Sequence, residues 1–397
     1  MKKKLLFVCM SLGLGGSERC MMEMLRNLDQ NRYDITIQAL IPEDNKNTIP
    51  EGIRAINGYP GFEECNAPMR EFVPGAVKKL QLLKLARKSI YWYRVTYGKT
   101  DYTKAFWKSF APYIPALEEH YDVTIGYGQG LASLFALDKV PNGGKKILWV
   151  NTNLVRAHFD LKYHHRLYQQ ADRVVTVCRN LLRDMQGYYP DCKDNMTYFY
   201  DMLDIPGIRK AGDAYRAEYR ETEALRLLTV GRICEAKALH LAVEAAAILK
   251  KEGIPFRWYI IGDGERRWQI EEQINALGVQ DEMVLLGALV NPYPWFKDCD
   301  IYVQTSVFEG SCTTLTEALI FGKPVVTTDI DIAFEKIDDG QNGLICKMTG
   351  EDIAEKIRSL LTDPVRRKQM QAYIESHPIF YGDQIELFDQ MIDELTA

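Results

Sequence analysis

The chain has 397 residues, enough for two domains of ordinary size, and its 47% hydrophobic and 26% charged content is typical of a soluble globular protein. The net charge of -5 gives no general nucleic-acid-binding signature. Nine cysteines form no CxxC pair, and Cys9, Cys178 and Cys299 lie in or beside apolar segments, so we expect buried thiols in a reducing cytoplasm. The six histidines form no HExxH pattern, and we expect no metal site.

The first elements of the chain predict a buried strand, a glycine-rich turn and a helix. The apolar run at 5–10 breaks at Gly13 without a small-residue cleavage pattern, which favours a strand over a signal sequence. The turn at 11–17 contains Gly15 and Gly16, whose backbone N–H groups can approach an anion closely. A dinucleotide-binding loop would need glycine where Glu18 stands, so a nicotinamide enzyme is disfavoured.

Strand and helix signals then alternate, which predicts two doubly wound parallel sheets. Further strands are predicted at 34–40, 122–127, 146–150, 173–177 and 196–200. A charged segment at 205–223, with Pro206 and Gly207, predicts the interdomain connection, and the apolar run 225–230 opens the second domain. No window approaches eighteen consecutive apolar residues, so no membrane-spanning helix is expected.

The segment 77–110 departs from this pattern. It contains nine Lys or Arg against one acid, Asp101, with aromatic residues interleaved. Such a helical surface could contact anionic lipid headgroups, with each cation contributing on the order of 1 kcal/mol. The alternative is that half of the residues are core and the rest are solvated lysines.

The stretch 300–329 predicts a strand, loop, helix and strand, with its loop at the carboxyl end of a strand, where open α/β sheets bind ligands. Gly310, Ser311 and Cys312 are small, and the first turn of the following helix offers N–H groups suited to phosphate. Glu317 would repel phosphate and suits a hydroxyl group such as that of a ribose. Alternatively, Glu309 caps the helix and Glu317 is solvated.

A second loop, Gly231 to Lys237, lies between a strand and a helix. The Arg232 guanidinium can donate two hydrogen bonds to one anion, and Lys237 adds a point charge. Both residues lie on the same loop, so they can bind the same anion. The alternative is two solvated cations on a loop. Further glycines follow predicted strands at Gly262 and Gly287.

These landmarks resemble, in order and spacing, the retaining nucleotide-sugar glycosyltransferases of family four, as found in bacteria. The similar elements are the Glu-x7-Glu pair Glu309 and Glu317, the Gly-Arg…Lys element at 231–237, Ile261 to Gly264, Leu286-Gly287, and the turn at 321–326. The resemblance covers roughly residues 225–347. It implies the GT-B fold, which has two Rossmann-like doubly wound parallel-sheet domains facing across a cleft.

The domains implied are 1–202 for the acceptor, 203–378 for the nucleotide sugar, and a helix at 379–397 that returns to the first domain. The resemblance implies catalytic roles for Arg232, Lys237 and Glu309. The donor-binding residues it implies are Gly15, Gly16, Gly231, Gly262, Leu289, Gly310, Ser311, Cys312, Thr313, Thr314 and Glu317. It implies neither a metal nor an organic cofactor.

The sequence departs from the family at two of these sites. Family members commonly carry Trp-x-His after the fifth strand, where this chain has Asn151, which can bond a sugar hydroxyl but cannot shuttle a proton near neutral pH. His158 is a second candidate there. The family also has glycine after the loop lysine, where Ala238 should displace Lys237 slightly.

The implied activity is transfer of a hexosyl group from a nucleotide sugar, with UDP as the default, to a saccharide or lipid-linked acceptor in cell-surface polysaccharide assembly. The enzyme would be cytoplasmic, and peripheral on the inner face of the membrane if 77–110 contacts anionic lipid. A nucleotide-sugar epimerase, a phosphorylase, an inverting transferase and a non-catalytic sugar-nucleotide binder remain alternatives.

Overall fold

The computed structural model describes residues 2–13, 15–43, 48–67, 72, 82–98, 100–219, 224–379 and 383–397. The chain divides into two compact units. The first unit contains Met1–Met202 and Tyr381–Ala397, and the second contains Leu203–Phe380. Cys9, Cys178 and Cys299 are buried thiols, as their apolar surroundings predicted.

The first unit is built on a sheet of seven parallel strands in the order β3-β2-β1-β4-β5-β6-β7. The strands are β1 Lys3–Cys9, β2 Tyr33–Ala39, β3 Arg54–Asn57, β4 Val123–Tyr127, β5 Lys145–Val150, β6 Arg173–Thr176 and β7 Met196–Tyr198. Strand β3 was not predicted, because its sequence Arg-Ala-Ile-Asn lacks an apolar pattern and the strand lies at the edge of the sheet.

Eight helices accompany this sheet among the described residues. They are α1 Gly16–Asn27, α2 Phe62–Asn66, α3 Leu82–Thr96, α4 Tyr102–Phe110, α5 Leu131–Asp138, α6 Leu161–Tyr168, α7 Arg179–Tyr188 and, at the end of the chain, α16 Gln384–Thr396. Phe388 of α16 is fully buried, and its ring lies 6.2–6.4 Å from the rings of Phe7, Tyr33 and Phe199. Apolar burial therefore holds the last helix to the first unit.

The second unit has six parallel strands in the order β10-β9-β8-β11-β12-β13. They are β8 Leu225–Val230, β9 Phe256–Ile261, β10 Met283–Gly287, β11 Ile301–Gln304, β12 Val325–Thr328 and β13 Gly343–Cys346. The helices are α8 Ile205–Gly212, α9 Leu239–Lys251, α10 Arg267–Ala276, α11 Tyr293–Asp298, α12 Thr313–Ile320, α13 Ala333–Lys336, α14 Gly350–Leu361 and α15 Pro364–Ser376.

The predicted interdomain connection at 205–223 contributes to the second unit instead of running free. Asn291 Nδ2 donates to the Ala211 carbonyl at 2.8 Å, and the Tyr215 hydroxyl donates to the Asn291 carbonyl at 2.6 Å. The Tyr219 hydroxyl donates to the carbonyl of buried Trp295 at 2.6 Å. Residues 220–223, the end of the predicted connection, lie outside the described residues.

The segment 77–110 forms α3 and α4, apart from 77–81 and 99, which lie outside the described residues. The prediction that its lysines face solvent is wrong for Lys84 and Lys88. Both are buried, Lys84 in an ion pair with Glu64 and Lys88 in a hydrogen bond to the Cys65 carbonyl. Across the described residues, each helix is too short or too polar to cross a bilayer.

Candidate active site

The candidate site of the second unit lies where its strand order reverses. Strands β8 and β11 are neighbours at the centre of the sheet, yet the chain leaves β8 toward β9 on one side and β11 toward β12 on the other. The loops at their carboxyl ends therefore diverge and leave a crevice, the usual ligand position in open α/β sheets. Those loops carry Lys237 and Glu309.

Lys237 and Glu309 form an ion pair across this switch point. Lys237 Nζ lies 2.7 Å from Glu309 Oε1, and each side chain is 17% exposed. The same oxygen accepts from Ser306 Oγ at 2.6 Å and from Gln304 Nε2 at 3.1 Å. Burial alone would lower the pKa of Lys237, but the adjacent carboxylate outweighs burial and raises it. Lys237 is thus held as a cation.

Backbone contacts fix the two loops to each other. Thr305 Oγ1 donates to the Lys237 carbonyl at 2.8 Å, and the Val307 N–H donates to the Ala236 carbonyl at 2.8 Å. Ala238 takes the left-handed conformation, with φ 44° and ψ 42°, at the start of α9. The turn expected to need glycine is therefore made by alanine, and Lys237 remains in contact with Glu309.

Helix α12 begins directly beside this pair. Cys312 occupies its N-cap in the left-handed conformation, with φ 45°, and Ser311 and Cys312 are buried. Thr314 Oγ1 donates to Gln304 Oε1 at 3.3 Å. The first N–H groups of α12 carry the partial positive charge of a helix start, which suits an anion. Burial, followed by the charge of Glu309, raises the pKa of Cys312 to about 11, so its thiol stays protonated.

Glu317 lies one turn into α12 and is 1% exposed. The Tyr293 hydroxyl donates to its Oε1 at 3.2 Å. The alternative of a solvated helix residue is therefore wrong. The alternative that Glu309 caps the helix is also wrong, because Cys312 occupies the cap and Glu309 bonds Lys237, Ser306 and Gln304.

The other predicted donor residues of the second unit lie on neighbouring strand ends. A Cβ atom on Gly262 would lie 1.9 Å from the Gly231 carbonyl oxygen, and φ of Gly262 is 142°, so only glycine fits. Arg232 is exposed and forms no ion pair or side-chain hydrogen bond with another described residue. Leu289, in the loop after β10, is 37% exposed. The structure joins Lys237 to Glu309 but does not join Arg232 to them.

In the first unit, Gly15 and Gly16 lie at the start of α1, after β1. A Cβ atom on Gly15 would lie 2.3 Å from Glu18 Oε2, so the carboxylate that disfavours a dinucleotide rests on this turn. Asn151 follows β5, and its backbone N–H donates to Gln129 Oε1 at 2.9 Å. Its Oδ1 is buried and has no hydrogen-bond partner among the described residues. His158 is exposed.

Comparison with known proteins identifies the family of the second unit. Residues 213–377 match the family described as glycosyl transferases group 1. These residues form a group 1 glycosyltransferase domain.

Curated relatives of the chain are glycosyltransferases by name. An uncharacterized glycosyltransferase of Methanocaldococcus jannaschii, MJ1059, is 22% identical over 275 residues, which cover 64% of this chain and 66% of that protein. The N-acetylgalactosamine-N,N'-diacetylbacillosaminyl-diphospho-undecaprenol 4-alpha-N-acetylgalactosaminyltransferase of Campylobacter jejuni is 27% identical over 207 residues, which cover 51% of this chain and 54% of that protein. The chain thus spans less than two thirds of the length of these relatives.

Solved structures share the fold of the chain. The structure of HepE from Anabaena in complex with UDP and glucose matches this chain with a TM-score of 0.66 at 16% identity. The match covers 99% of this chain and 100% of the HepE chain. Sucrose-phosphate synthase of Thermosynechococcus elongatus has a TM-score of 0.71 at 12% identity and covers 99% of each chain. The prediction of two Rossmann-like parallel-sheet domains of the GT-B class is confirmed.

Sequence reasoning missed Lys336, which holds the first turn of α12 in the glycosyltransferase domain. Lys336 Nζ donates to Thr316 Oγ1 at 2.6 Å and lies 3.5 Å from the Cys312 carbonyl oxygen. A lysine within one turn of the α12 start adds positive charge next to the candidate anion site. The sequence signal that could have indicated this role is weak: Lys336 is a cation that follows β12, the strand after α12.

One group of potential metal ligands occurs among the described residues, in the first unit. His165, Asp191 and Cys192 place ligand atoms within 4.8 Å of one another. His165 Nε2 lies 2.7 Å from Asp191 Oδ1, so these two side chains already bond each other. The expectation that the protein uses no metal stays a prediction.

Proposed function

We propose that the chain is a retaining glycosyltransferase. It would move a hexosyl group from a nucleotide sugar, with UDP as the default, to a saccharide or lipid-linked acceptor in cell-surface polysaccharide assembly. The observation that carries the proposal is the Lys237–Glu309 pair beside the start of α12, within a group 1 glycosyltransferase domain. The diphospho-undecaprenol in the name of the Campylobacter relative and the UDP and glucose bound to HepE support this choice of acceptor and donor.

The leaving diphosphate is the group that this site is suited to stabilise. Breaking the anomeric C–O bond puts extra negative charge on the diphosphate oxygens. Lys237, the N–H groups from Cys312 to Thr314, and Arg232, which is exposed on the same loop as Lys237, would receive that charge. A cation already held in place needs little reorganisation during the reaction, which is the source of most electrostatic catalysis.

The two glutamates would divide the donor between them. Glu309, with the N–H groups of the loop at 310–313, would bind the sugar hydroxyls, and its side-chain contacts with Lys237, Gln304 and Ser306 are made by Oε1. Glu317, buried beside Tyr293, would accept from the ribose hydroxyls. A carboxylate binds hydroxyl donors more strongly than a neutral acceptor does.

Retention at the anomeric carbon would place the acceptor on the face that the diphosphate leaves. The departing diphosphate could then take the proton of the acceptor hydroxyl, so the protein needs no separate base. Asn151, which keeps a buried amide oxygen without a partner among the described residues, would bond a hydroxyl of the transferred sugar or the acceptor. Neither a metal nor an organic cofactor takes part in this scheme, and its site would face the cytoplasm.

Release of nucleoside diphosphate from a panel of nucleotide sugars, with and without saccharide acceptors, tests the proposal. A transferase releases diphosphate at an acceptor-dependent rate. Binding in a thermal-shift assay without release would indicate a sugar-nucleotide binder, and epimerised donor without release would indicate an epimerase. Full turnover by both Arg232→Ala and Glu309→Ala would show that the site is assigned wrongly.

A further inference from the structure

Helix α3 buries two lysines and exposes several large apolar side chains. Its buried side carries Lys84 and Lys88, which are 6% and 4% exposed. Its exposed side carries large apolar and aromatic residues. These are Leu82, Leu83, Ile90, Trp92 and Tyr93, together with Tyr97 directly after the helix, all between 47% and 70% exposed. We call these six residues the α3 face.

Specific contacts of the buried lysines fix this orientation. Lys84 Nζ lies 2.7 Å from Glu64 Oε2. Lys88 Nζ donates to the Cys65 carbonyl at 2.5 Å and lies 5.3–5.4 Å from the ring centres of Phe72, Tyr91 and Phe110. A rotation of the helix that buried its apolar side would break the ion pair, the hydrogen bond and the cation–π contacts together. The exposure of the α3 face is thus built into the packing.

The chemistry of the α3 face is that of a membrane interface. Trp and Tyr combine an apolar ring with a polar tip and are favoured where hydrocarbon meets headgroups. From 82 to 100 the sequence contains no Asp or Glu, and Arg94 is exposed on the same helix. Lys108 of α4 is also exposed. An apolar aromatic face beside cations, on a stretch of sequence without Asp or Glu, complements an anionic bilayer surface.

We propose that the α3 face inserts into the interfacial region of an anionic bilayer, with Arg94 at headgroup level. The inference rests on the proposed function, because a lipid-linked acceptor would lie in such a bilayer. It also changes the basis of the contact predicted for 77–110, since apolar insertion and not a stripe of lysines supplies most of the binding. Contact carried by insertion persists in salt, whereas contact carried by exposed cations is screened.

Tryptophan fluorescence can observe this insertion directly. The chain has six tryptophans, and only Trp92 and Trp268 are exposed, at 47% and 62%, whereas the other four are at most 5% exposed. We expect vesicles of phosphatidylglycerol and phosphatidylcholine to shift the emission to shorter wavelength, and brominated phosphatidylcholine to quench it. Both effects should persist in Trp268→Phe and disappear in Trp92→Phe. Quenching that is equal in both variants, or absent from the wild type, would overturn the proposal.

Co-sedimentation with the same vesicles measures how much the α3 face contributes. The double variant Trp92→Ser with Tyr93→Ser should lower the partition coefficient at least tenfold, and Trp268→Ser should leave it unchanged. Wild-type binding should survive 0.5 M NaCl, where the screening length falls to roughly 4 Å. Release of the wild type at that salt concentration, with normal binding by the double variant at low salt, would show that cations carry the contact.

Two further measurements distinguish membrane insertion from a protein interface and from a role in the transfer reaction. If sedimentation velocity shows a dimer that the double variant dissociates, and vesicles do not bind, the α3 face is a protein interface and the proposal fails. Diphosphate release with a soluble acceptor should be the same in the double variant and the wild type. Vesicle binding is measured without substrate, so its failure would leave the proposed transferase activity intact.

Discussion

The two units end their central strands in different ways. In the second unit, the loops after β8 and β11 are tied together by the Lys237–Glu309 ion pair and by hydrogen bonds from Gln304 and Ser306. In the first unit, Asn151 after β5 keeps a buried amide oxygen that has no partner among the described residues. The second unit pairs a lysine with a carboxylate at its strand ends, whereas the first unit leaves a neutral amide oxygen without a partner among the described residues.

This difference indicates how each region would treat a ligand. A charged, interlocked site is preorganised, so it can stabilise charge without moving. A buried oxygen without a partner costs free energy that a hydroxyl donor could recover. The second unit would therefore suit a charged ligand group, and the first unit would suit a neutral hydroxyl group. Substitutions on each side can break this contrast.

The largest effect is expected from Lys237→Ala. The substitution removes the cation proposed to receive the charge of the leaving diphosphate, so we expect the rate of diphosphate release to fall about 10²–10³-fold, or roughly 3–4 kcal/mol of barrier. Single-turnover kinetics measures this effect. Lys250→Ala, which removes an exposed lysine of α9 paired with Glu282, is the matched control and should keep full activity. A Lys237→Ala rate within threefold of wild type would show that Lys237 does not stabilise the leaving diphosphate.

Glu317→Gln should weaken nucleotide binding itself. Hydrogen bonds to a charged acceptor are worth about 1.5–3 kcal/mol, so the Kd for free nucleoside diphosphate should rise roughly 10–100-fold. Glu309→Gln should weaken binding of the nucleotide sugar but not of the diphosphate without sugar. Tyr293→Phe is the control, because it keeps the carboxylate and removes only its 3.2 Å partner. Isothermal titration with both ligands distinguishes these cases. An unchanged diphosphate Kd in Glu317→Gln would exclude the ribose role.

In the first unit, Asp101 makes the stability of the fold depend on pH in the acidic range. Burial alone would raise the pKa of Asp101, but His164, whose Nε2 lies 3.3 Å from Asp101 Oδ2, and hydrogen bonds from Thr103 and the Asp160 backbone hold it well below its usual range. A carboxyl whose pKa is lower in the folded state stabilises the fold above its unfolded pKa near 4, and this contribution disappears as the pH falls below that value. Asp101→Asn should therefore cost about 1.5–3 kcal/mol at neutral pH and flatten the acid dependence.

Hydrogen exchange of peptides covering 100–138 is the measurement for Asp101, because two units need not unfold in one step. Asp191→Asn is the control. The pKa of Asp191 is also lowered, by hydrogen bonds from Gln169 and His165, but the group is exposed, so its loss should leave exchange unchanged. Equal protection of wild type and Asp101→Asn at pH 7 would contradict the prediction.

The sequence predicted most strands because apolar periodicity is a local property. It also placed Arg232, Lys237 and Glu309 on strand-end loops. It did not predict that Lys237 pairs directly with Glu309, or that Lys336 holds the start of α12, because those contacts join loops that only the sheet order brings together. It also placed the lysines of α3 on the surface, whereas Glu64, the Cys65 carbonyl and nearby rings stabilise Lys84 and Lys88 inside.

Asn151→Ala tests the other side of the contrast and should have a smaller effect. Losing one neutral hydrogen bond costs about 0.5–1.5 kcal/mol, so kcat/KM for the acceptor should fall roughly 2–10-fold. The Kd for nucleoside diphosphate should not change. Asn142→Ala is the matched control, because Asn142 is exposed in the same unit. Initial rates over an acceptor series give kcat/KM, and titration with nucleoside diphosphate gives its Kd. A raised Kd would indicate that Asn151 contacts the nucleotide.

The smallest effect is expected from Ala238→Gly. Relief of the left-handed conformation should return about 1–2 kcal/mol, and loss of one buried methyl group and the added freedom of the unfolded chain together cost a similar amount. The net change in unfolding free energy should thus stay below about 1 kcal/mol. Ala242→Gly, equally buried but inside α9, loses the same methyl and costs about 1 kcal/mol more in helix propensity. Urea unfolding of both variants compares them. If Ala238→Gly were as destabilising as Ala242→Gly, the left-handed turn at Ala238 would impose no strain, and backbone conformation would not account for the family's glycine at this position.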